Sequence, residues 1–586
     1  MIEAATPATP GPERALARPH PVSSDAHPPR RWRQWVSWLR AHRVWVLVTF
    51  AYLSVFPYAP AINNPNENVR IYMTRALVEH HTLAINQVEA DWGWVNDKAK
   101  NGARLFSSKA PGTSLLGVPV LAVETWLWHR LGWPSPSKLA TTLGLRVFTV
   151  MVPMCAFLLV FSSYARRVSR SRGMGDLLLV GVGLGSLIYP YGIHFVGHGL
   201  AAALSFGAFM ALAPGGIIRP ARDAIGREAG DDDGQGEGGA SVRRALLAGL
   251  LAGLGVVFEY QNILVAALLG ITVAVRRPRL VVPFLVGALP AAVLLGAIHT
   301  LCFGRPWAFP YGHLENIEFQ TAHHHGGFYG VVGPARAAIL GVLFLPGFGF
   351  FACSPFLLLA TLAVGATIVR GPRAEGILIA ALAIVLTLFV AGLPNWRGGW
   401  SVGPRYITAV VPFLAMGLAY AWPRVTGSSA GSSAGSARAQ VVWGLAAGLV
   451  LVGIFTNALT AVIYPQVPPQ LRNPTFQLLW RLPLDGYVPY SLGYGLGLRG
   501  LASLGPTALA LALAAGFALV PDPLGWVAGS RWPWRSVTTM VVVFAVLIGG
   551  LSRWPAHPSA VELEAVRTVE RAFSPPPTPP RTERRH

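Results

Sequence analysis

Apolar residues recur along this chain in long, nearly uncharged blocks separated by short polar stretches. The blocks lie near 44–61, 113–131, 143–163, 176–194, 198–218, 245–275, 280–301, 337–369, 374–393, 406–423, 441–463, 501–520 and 536–551. Most run for roughly 17 residues or more, enough to cross a hydrocarbon core about 30 Å thick, and together they predict roughly eleven to thirteen crossings. The pattern predicts an all-α polytopic membrane protein. Two places disturb the simple count. Block 245–275 is long for one span and has basic residues at both ends, Arg243 and Arg244 before it and Arg276, Arg277 and Arg279 after it. Two half-helices meeting at "FEYQN" (258–262) resolve this and bring Glu259 near the outer face. If blocks 113–131 and 143–163 both cross fully, the basic stretch "YARRVSRSRG" (164–173) falls outside, so a re-entrant segment or an altered count is expected there.

The polar stretches divide the chain. Residues 1–43 are expected to be a disordered basic cytoplasmic tail, with no cleavable leader apparent because "PPRRWRQWVSWLRAHR" runs directly into the first full span. Residues 44–551 form the transmembrane domain. Within it, 62–111 make a first extracytoplasmic loop carrying amphipathic juxtamembrane helices, and 464–500 a late one. Segments 219–243 and 424–440, which include "GREAGDDDGQGEGG" and "GSSAGSSAGSA", are expected to be flexible cytoplasmic loops, and 552–586 a Pro-rich disordered tail.

Composition agrees: 53% of residues are hydrophobic and 12% charged, which overrules the several soluble domains that 586 residues would otherwise suggest. The formal net charge of +21 sits mainly in tails and short loops, where the positive-inside rule accounts for it and a nucleic-acid partner is not needed. Three cysteines, Cys155, Cys302 and Cys353, lie in or beside apolar blocks and suit neither a disulfide framework nor a zinc site. Abundant Ala, Gly, Arg and Pro fit a GC-rich bacterial source, and the expected location is the bacterial cytoplasmic membrane.

Candidate chemistry gathers in the first loop, beginning with "NNPNENVRIYMTRALVEHHTLAI" (63–85). Asn64 can cap a helix, Pro65 suits its first position, and Val69, Tyr72, Met73, Ala76 and Leu77 recur at helical spacing, predicting an amphipathic helix along the outer membrane surface. Glu67 stands three residues after Asn64 and has two readings, a capping-box carboxylate or a catalytic base. Elsewhere, Arg397 and Arg405 with Trp396, Trp400 and Tyr406 fit either an interfacial aromatic belt or an anion site. In "EFQTAHHHGGFYG" (318–330), successive histidines splay by about 100° on a helix, so a solvated loop suits His324 and its neighbours better than one shared metal. Tyr311, His313 and Glu315 are candidates for an acceptor groove.

The segment "EADWGWVNDKAKNGARLFSSKAPGTSLLGVP" (89–119) resembles the first extracytoplasmic loop of GT-C fold membrane glycosyltransferases, the bacterial branch related to the protein mannosyltransferase and aminoarabinose transferase families. Lys109, Ala110, Pro111 and Gly112 match the element that opens the second membrane helix there. "YPYGIHFVGHGLAAALSFGAFMAL" (189–212), "GLLAGLGVVFEYQN" (249–262), "FLPGFGFFACSPFLLLA" (344–360) and "NWRGGWSVGPRYITAVVPFLAMGLA" (395–419) resemble later segments in the same order.

The resemblance implies an enzyme that transfers a sugar from a polyprenyl-phosphate donor to an extracytoplasmic acceptor. It implies a first-loop acid as base, with Glu67 the nearest match and Asp91 and Asp97 the alternates, since Asn66-Glu67 departs from the usual aspartate. Lys109, Arg405 and Arg397 would bind the donor phosphate, and Arg70, His198, Glu259, His324, Tyr329 and Tyr406 would line the pocket. A divalent metal is left open, the expected partners are the lipid-linked donor, an acceptor and membrane lipid, and no protein partner is inferable. The competing readings are a transporter or lipid flippase, which would carry charge at the bilayer midplane, a non-catalytic scaffold of the same fold, and an O-antigen ligase or polymerase.

Overall fold

The computed structural model describes residues 30–58, 64–213, 236–324, 330–425, 437–520 and 533–573. Helices dominate them. Eight are long and apolar enough to cross a membrane: Lys138–Ser169, Ser241–Phe258, Pro278–Phe303, Arg373–Ala391, Arg405–Val425, Ala437–Val462, Gly500–Leu519 and Trp534–Ser552. Arg43–Leu53, His198–Leu212, Tyr260–Arg276 and Phe356–Arg370 are shorter apolar helices. The chain is a multi-pass membrane protein, and its described residues are all-α apart from two small antiparallel pairings, Lys98–Asn101 with Arg104–Ser107 and Val55–Phe56 with Tyr490–Ser491, and an isolated bridge between Ala99 and Leu314.

Residues 1–43 and 44–586 form separate units. Of the tail expected to be disordered, Arg30–Ala41 is a helix, while 1–29 lie outside the described residues. Trp32, Trp35 and Leu39 recur at helical spacing between arginines, the pattern of a basic helix suited to a membrane interface.

In the second unit the break expected at 258–262 is present, but the piece before it is a full-length span and not a half-helix. Gly236–Phe258 and Ile263–Arg276 are separated by Glu259 in an extended conformation (φ −148°) and a single tight turn, Tyr260–Asn262. Block 337–369 is instead cut into Arg336–Phe344, Phe350–Cys353 and Phe356–Arg370, with Pro346, Gly347, Gly349 and Pro355 at the interruptions. Block 176–194 is helical to Gly183 and then again only for the single turn Ile188–Tyr191. Residues 143–163 belong to one longer helical run, Lys138–Ser169, which passes through a π-turn at Arg146–Met151.

Close backbone approach through glycine joins the spans. A Cβ on Gly249 would lie 1.9 Å from the Phe284 carbonyl oxygen, and one on Gly287 2.0 Å from that of Leu246, so the two helices meet backbone to backbone. Small residues serve this purpose in lipid, where apolar surface alone gives helices little reason to associate.

The C-terminal region corrects another expectation. Of the Pro-rich segment, Ala560–Phe573 is a helix whose Glu562, Ala565 and Val569 are buried, while 574–586 lie outside the described residues. "AVELEAVRTVERAF" has apolar residues at helical spacing, a signal overshadowed by the prolines beside it. The low-complexity parts of the two cytoplasmic loops, 219–235 and 426–436, also lie outside the described residues, whereas 236–243 and 437–440 already begin helices.

Candidate active site

Asn64 and Pro65 start the first-loop helix as the sequence predicts: the Asn64 side chain accepts from the Glu67 amide at 3.4 Å, and Pro65 occupies the first turn of Pro65–Glu79. The helix is not laid on a surface, however. Asn66 to Thr74 are all buried, polar positions included, because each charged side chain finds a partner from elsewhere in the fold. Arg146 donates to both Glu67 oxygens, Nε to Oε1 at 2.7 Å and Nη2 to Oε2 at 2.6 Å, and the Phe195 amide donates to Oε1 at 2.8 Å. Burial alone would raise the Glu67 pKa. The Arg146 charge and these hydrogen bonds outweigh it and bring the carboxyl down to about 2. Arg146 also donates to the Pro57 carbonyl, tying the first span to this pair.

One turn further, Arg70 donates to Glu259 at 2.8 Å and to Asn66. His198, first residue of its helix, brings Nδ1 to 3.5 Å from Glu259 without making a hydrogen bond, and both its ring nitrogens lack a partner. The break at Glu259 therefore delivers a carboxylate to the first loop.

Asp97 stands between the Asn86–Trp92 helix and the Lys98–Asn101 strand. Ser108 donates to its backbone carbonyl from both amide (3.2 Å) and hydroxyl (2.7 Å), fixing its position. Lys109 then reaches the Asp97 carboxylate at 3.0 Å. Just beyond, a Cβ on Gly112 would sit 2.8 Å from the Phe258 ring and the Val257 carbonyl, so the Lys-Ala-Pro-Gly element packs directly onto the broken helix. Burial raises the Asp97 pKa, but Lys109, then Arg405 and Arg70, hold it below the usual carboxylate range.

Arg405 follows a forced turn. Gly403 has φ +55°, and a Cβ there would lie 2.8 Å from Leu187. Arg405 Nη2 donates to the Tyr406 hydroxyl at 3.2 Å, while its buried Nε has no partner.

These groups meet at one cavity of about 490 Å³. Asp97, Lys109, Tyr311, Trp400, Arg405 and Tyr406 line it, together with Asn64, Asn66 and Asn96. A recess of about 30 Å³ opens beside Arg405, shares Asn66, Trp400 and Gln466 with the cavity, and adds His194 and His198. The wall includes Thr568 and Ala572 of the C-terminal helix. That helix is anchored by Glu562, which accepts from Arg472 Nη2 at 2.8 Å, Gln477 at 3.0 Å and the Ser559 hydroxyl at 2.9 Å, and by Phe573 against the Tyr464 and Tyr487 rings. Around the site, Arg70, Lys109 and Arg405 face two carboxylates, Asp97 and Glu259. The excess of positive charge suits an anion.

Of the residues singled out in the sequence, Asp97, Lys109, Arg405 and Tyr406 line the cavity, His198 lines the recess, and Arg70 with Glu259 buttresses them. Glu67 lies behind the cavity in its pair with Arg146. Asp91 is exposed and 3.5 Å from Arg75. Arg397 donates to the Pro469 carbonyl and stacks on Trp396 outside the cavity. The His324 side chain and Tyr329 lie outside the described residues. Among the described residues, no group of three or more His, Cys, Asp or Glu side chains forms a metal donor set. Sequence reasoning missed Arg146, although an arginine inside "LGLRVFTV" is itself a signal, since ionisable groups within apolar blocks need a partner. His194 and Thr568 carry no comparable signal.

No protein-family model and no curated protein matches the chain. Among solved structures, it is similar to ArnT from Cupriavidus metallidurans in the apo state, at 14% identity over 83% of this chain and 77% of that one, with a TM-score of 0.39. For ArnT of the same organism bound to undecaprenyl phosphate, the figures are 14% identity, 93% and 89% coverage and a TM-score of 0.39. The Archaeoglobus fulgidus oligosaccharyltransferase in the apo form gives 12% identity over 90% of this chain, a TM-score of 0.39, and 61% of its own length spanned.

Proposed function

We propose that this cavity transfers a sugar from a polyprenyl-phosphate donor to a hydroxyl acceptor at the extracytoplasmic face of the membrane, in the manner of the GT-C enzymes that the first-loop sequence resembles. The observation that carries the reading is the convergence of one buried carboxylate, Asp97, and two cations, Lys109 and Arg405, on a single cavity in a protein built of membrane spans. A lipid phosphate needs cations at headgroup level to hold it and to receive the charge that grows on it as the sugar leaves. Lys109 and Arg405 supply that clamp.

Asp97 is the base. It accepts the proton of the acceptor hydroxyl as that oxygen bonds to the anomeric carbon, and the bond from that carbon to the phosphate oxygen breaks, its electron pair leaving on the polyprenyl phosphate. No acid is required for so stable a leaving anion. The ion pair with Lys109 makes the site self-timing: when the donor phosphate draws Lys109 to itself, Asp97 loses its strongest partner and becomes more basic. Glu67, the first expectation for this role, has both oxygens committed to Arg146 and Phe195 and is assigned to holding the first-loop helix.

The test is sugar release from a panel of polyprenyl-phosphate sugars by protein reconstituted in lipid nanodiscs, wild type beside Asp97→Asn. Turnover by the wild type that Asp97→Asn lowers by at least 100-fold, with bare lipid-phosphate binding kept, supports the assignment. Full turnover in the variant removes Asp97 from the reaction, and silence of the wild type on every donor, with a cell-envelope extract supplied as the source of acceptor hydroxyls, removes the glycosyltransferase reading.

A further inference from the structure

The recess beside Arg405 has a chemistry of its own. We infer that it seats two hydroxyl groups on one edge of the donor's sugar ring and so selects an uncharged, hydroxyl-bearing sugar over an amino sugar. The inference rests on the function proposed above, which puts the donor phosphate against Arg405 and therefore its sugar next to the recess.

Three observations support it. First, the recess lining contains no carboxylate; the nearest, Glu259, stands 3.5 Å behind His198 and is already paired with Arg70, while Arg405 contributes a positive charge to the lining itself. Second, its unpartnered buried atoms are mixed in kind. His194 Nδ1 faces the Pro190 carbonyl at 2.8 Å. A carbonyl can only accept, so Nδ1 carries the hydrogen and Nε2 of the neutral ring is left as an acceptor. His198 offers one acceptor and one donor from its two unpartnered nitrogens, and Arg405 Nε offers another donor. A hydroxyl both donates and accepts, and a pair of them could satisfy this set. An ammonium only donates and would leave the Arg405 and His198 N–H groups unpaired; a carboxylate only accepts and would strand the His194 lone pair. Third, the size fits. A cavity needs roughly 10–15 Å³ to hold one water, so about 30 Å³ admits two hydroxyl-sized groups and excludes a whole ring.

Selection of this kind discriminates sharply, because a wrong substituent leaves buried polar groups without partners. His194 and His198 are thereby assigned as specificity determinants, separate from the phosphate clamp.

The experiment measures binding to the full-length protein in nanodiscs of bare undecaprenyl phosphate, of its glucose, galactose and mannose conjugates, and of its glucosamine and 4-amino-4-deoxyarabinose conjugates. The expected result is that at least one neutral hexose conjugate binds ten-fold or more tightly than bare undecaprenyl phosphate, that neither amino-sugar conjugate matches it, and that His198→Phe and His194→Phe each remove the advantage. Retained affinity of both variants for bare undecaprenyl phosphate serves as the folding control, with His198→Asn as the milder substitute where His198→Phe fails it. An amino-sugar conjugate binding as tightly as the best neutral one overturns the inference. So does the absence of any neutral-sugar advantage, or an advantage that survives either substitution, and each of these leaves the lipid-phosphate reading intact. Failure of bare undecaprenyl phosphate to bind overturns that reading, and this inference with it.

Discussion

Lys109 and Asp97 hold one another at 3.0 Å in the cavity wall, so the cation of the proposed clamp and the proposed base are partners until a competing anion arrives. Replacing Lys109 with Met removes the largest influence lowering the Asp97 pKa. A base works only when deprotonated, so turnover falls as pH drops through its pKa, and a raised pKa moves that fall to higher pH. The pH–rate profile of Lys109→Met is therefore expected to show its acidic limb displaced upward, along with a lower kcat/KM from the weakened clamp. A lower rate with an unmoved limb would separate Lys109 from Asp97 and count against their coupling.

Arg405 is expected to resist even a conservative change. Its guanidinium presents a planar fork to an oxyanion and is held by Tyr406 at 3.2 Å, whereas a lysine would offer a single mobile point charge. Arg405→Lys should raise the KM for the donor and lower kcat, together by at least ten-fold in kcat/KM, with the thermal midpoint of the purified protein unchanged within a few degrees. Wild-type kinetics in this variant would reduce Arg405 to wall.

For Glu67 the expected effect is on folding. Glu67→Gln leaves Arg146 charged, buried and without its carboxylate, a loss that costs about 3–5 kcal/mol in comparable buried pairs. The double variant Glu67→Gln/Arg146→Met should recover much of it. The pH dependence has a definite sign: the carboxyl is depressed to about 2 from its ordinary 4.5, so its contribution is present above pH 4.5 and lost as pH falls from there toward 2. Thermal unfolding from pH 7 down to 3 measures both effects, and an equally acid-sensitive double variant would refute the attribution to this pair.

How far the sequence disclosed this site can be judged residue by residue. Hydropathy located the spans because lipid imposes length and composition on each of them, and the basic flanks of block 245–275 signal the break at Glu259. That Lys109 and Arg405 belong to one cavity was foreshadowed by ordered motifs. The ground for proposing Asp97 over Glu67 was not, because it depends on Arg146, which reaches Glu67 from 79 positions away in sequence. A capping position describes only the local helix. The recess was equally hidden: His194 becomes an acceptor only through its contact with Pro190 and through packing that leaves Nε2 without a partner.

The C-terminal helix closes one side of the cavity, and its anchoring predicts how it can be released. Thr568 and Ala572 form cavity wall only while Val569 stays buried and Glu562 keeps Arg472, Gln477 and Ser559. Val569→Asp places a charge in that apolar seat, and Glu562→Gln removes the charge that Arg472 grips, so either should lift the helix without touching Asp97, Lys109 or Arg405. With the partly exposed native Cys353 replaced by Ser, Asn395→Cys stands on the cavity lining as the one accessible thiol, since the native Cys155 and Cys302 are buried. Labelling of Cys at position 395 by a hydrophilic maleimide is expected to accelerate several-fold in Val569→Asp and by a smaller factor in Glu562→Gln. Equal rates in all three backgrounds would mean that the cavity is open by another route and that the helix is wall without being a barrier. Because the helix contributes to the same cavity as Asp97, the acceleration would also place residues 560–573 on the active-site side of the membrane, a topological result that the count of apolar blocks alone could not supply.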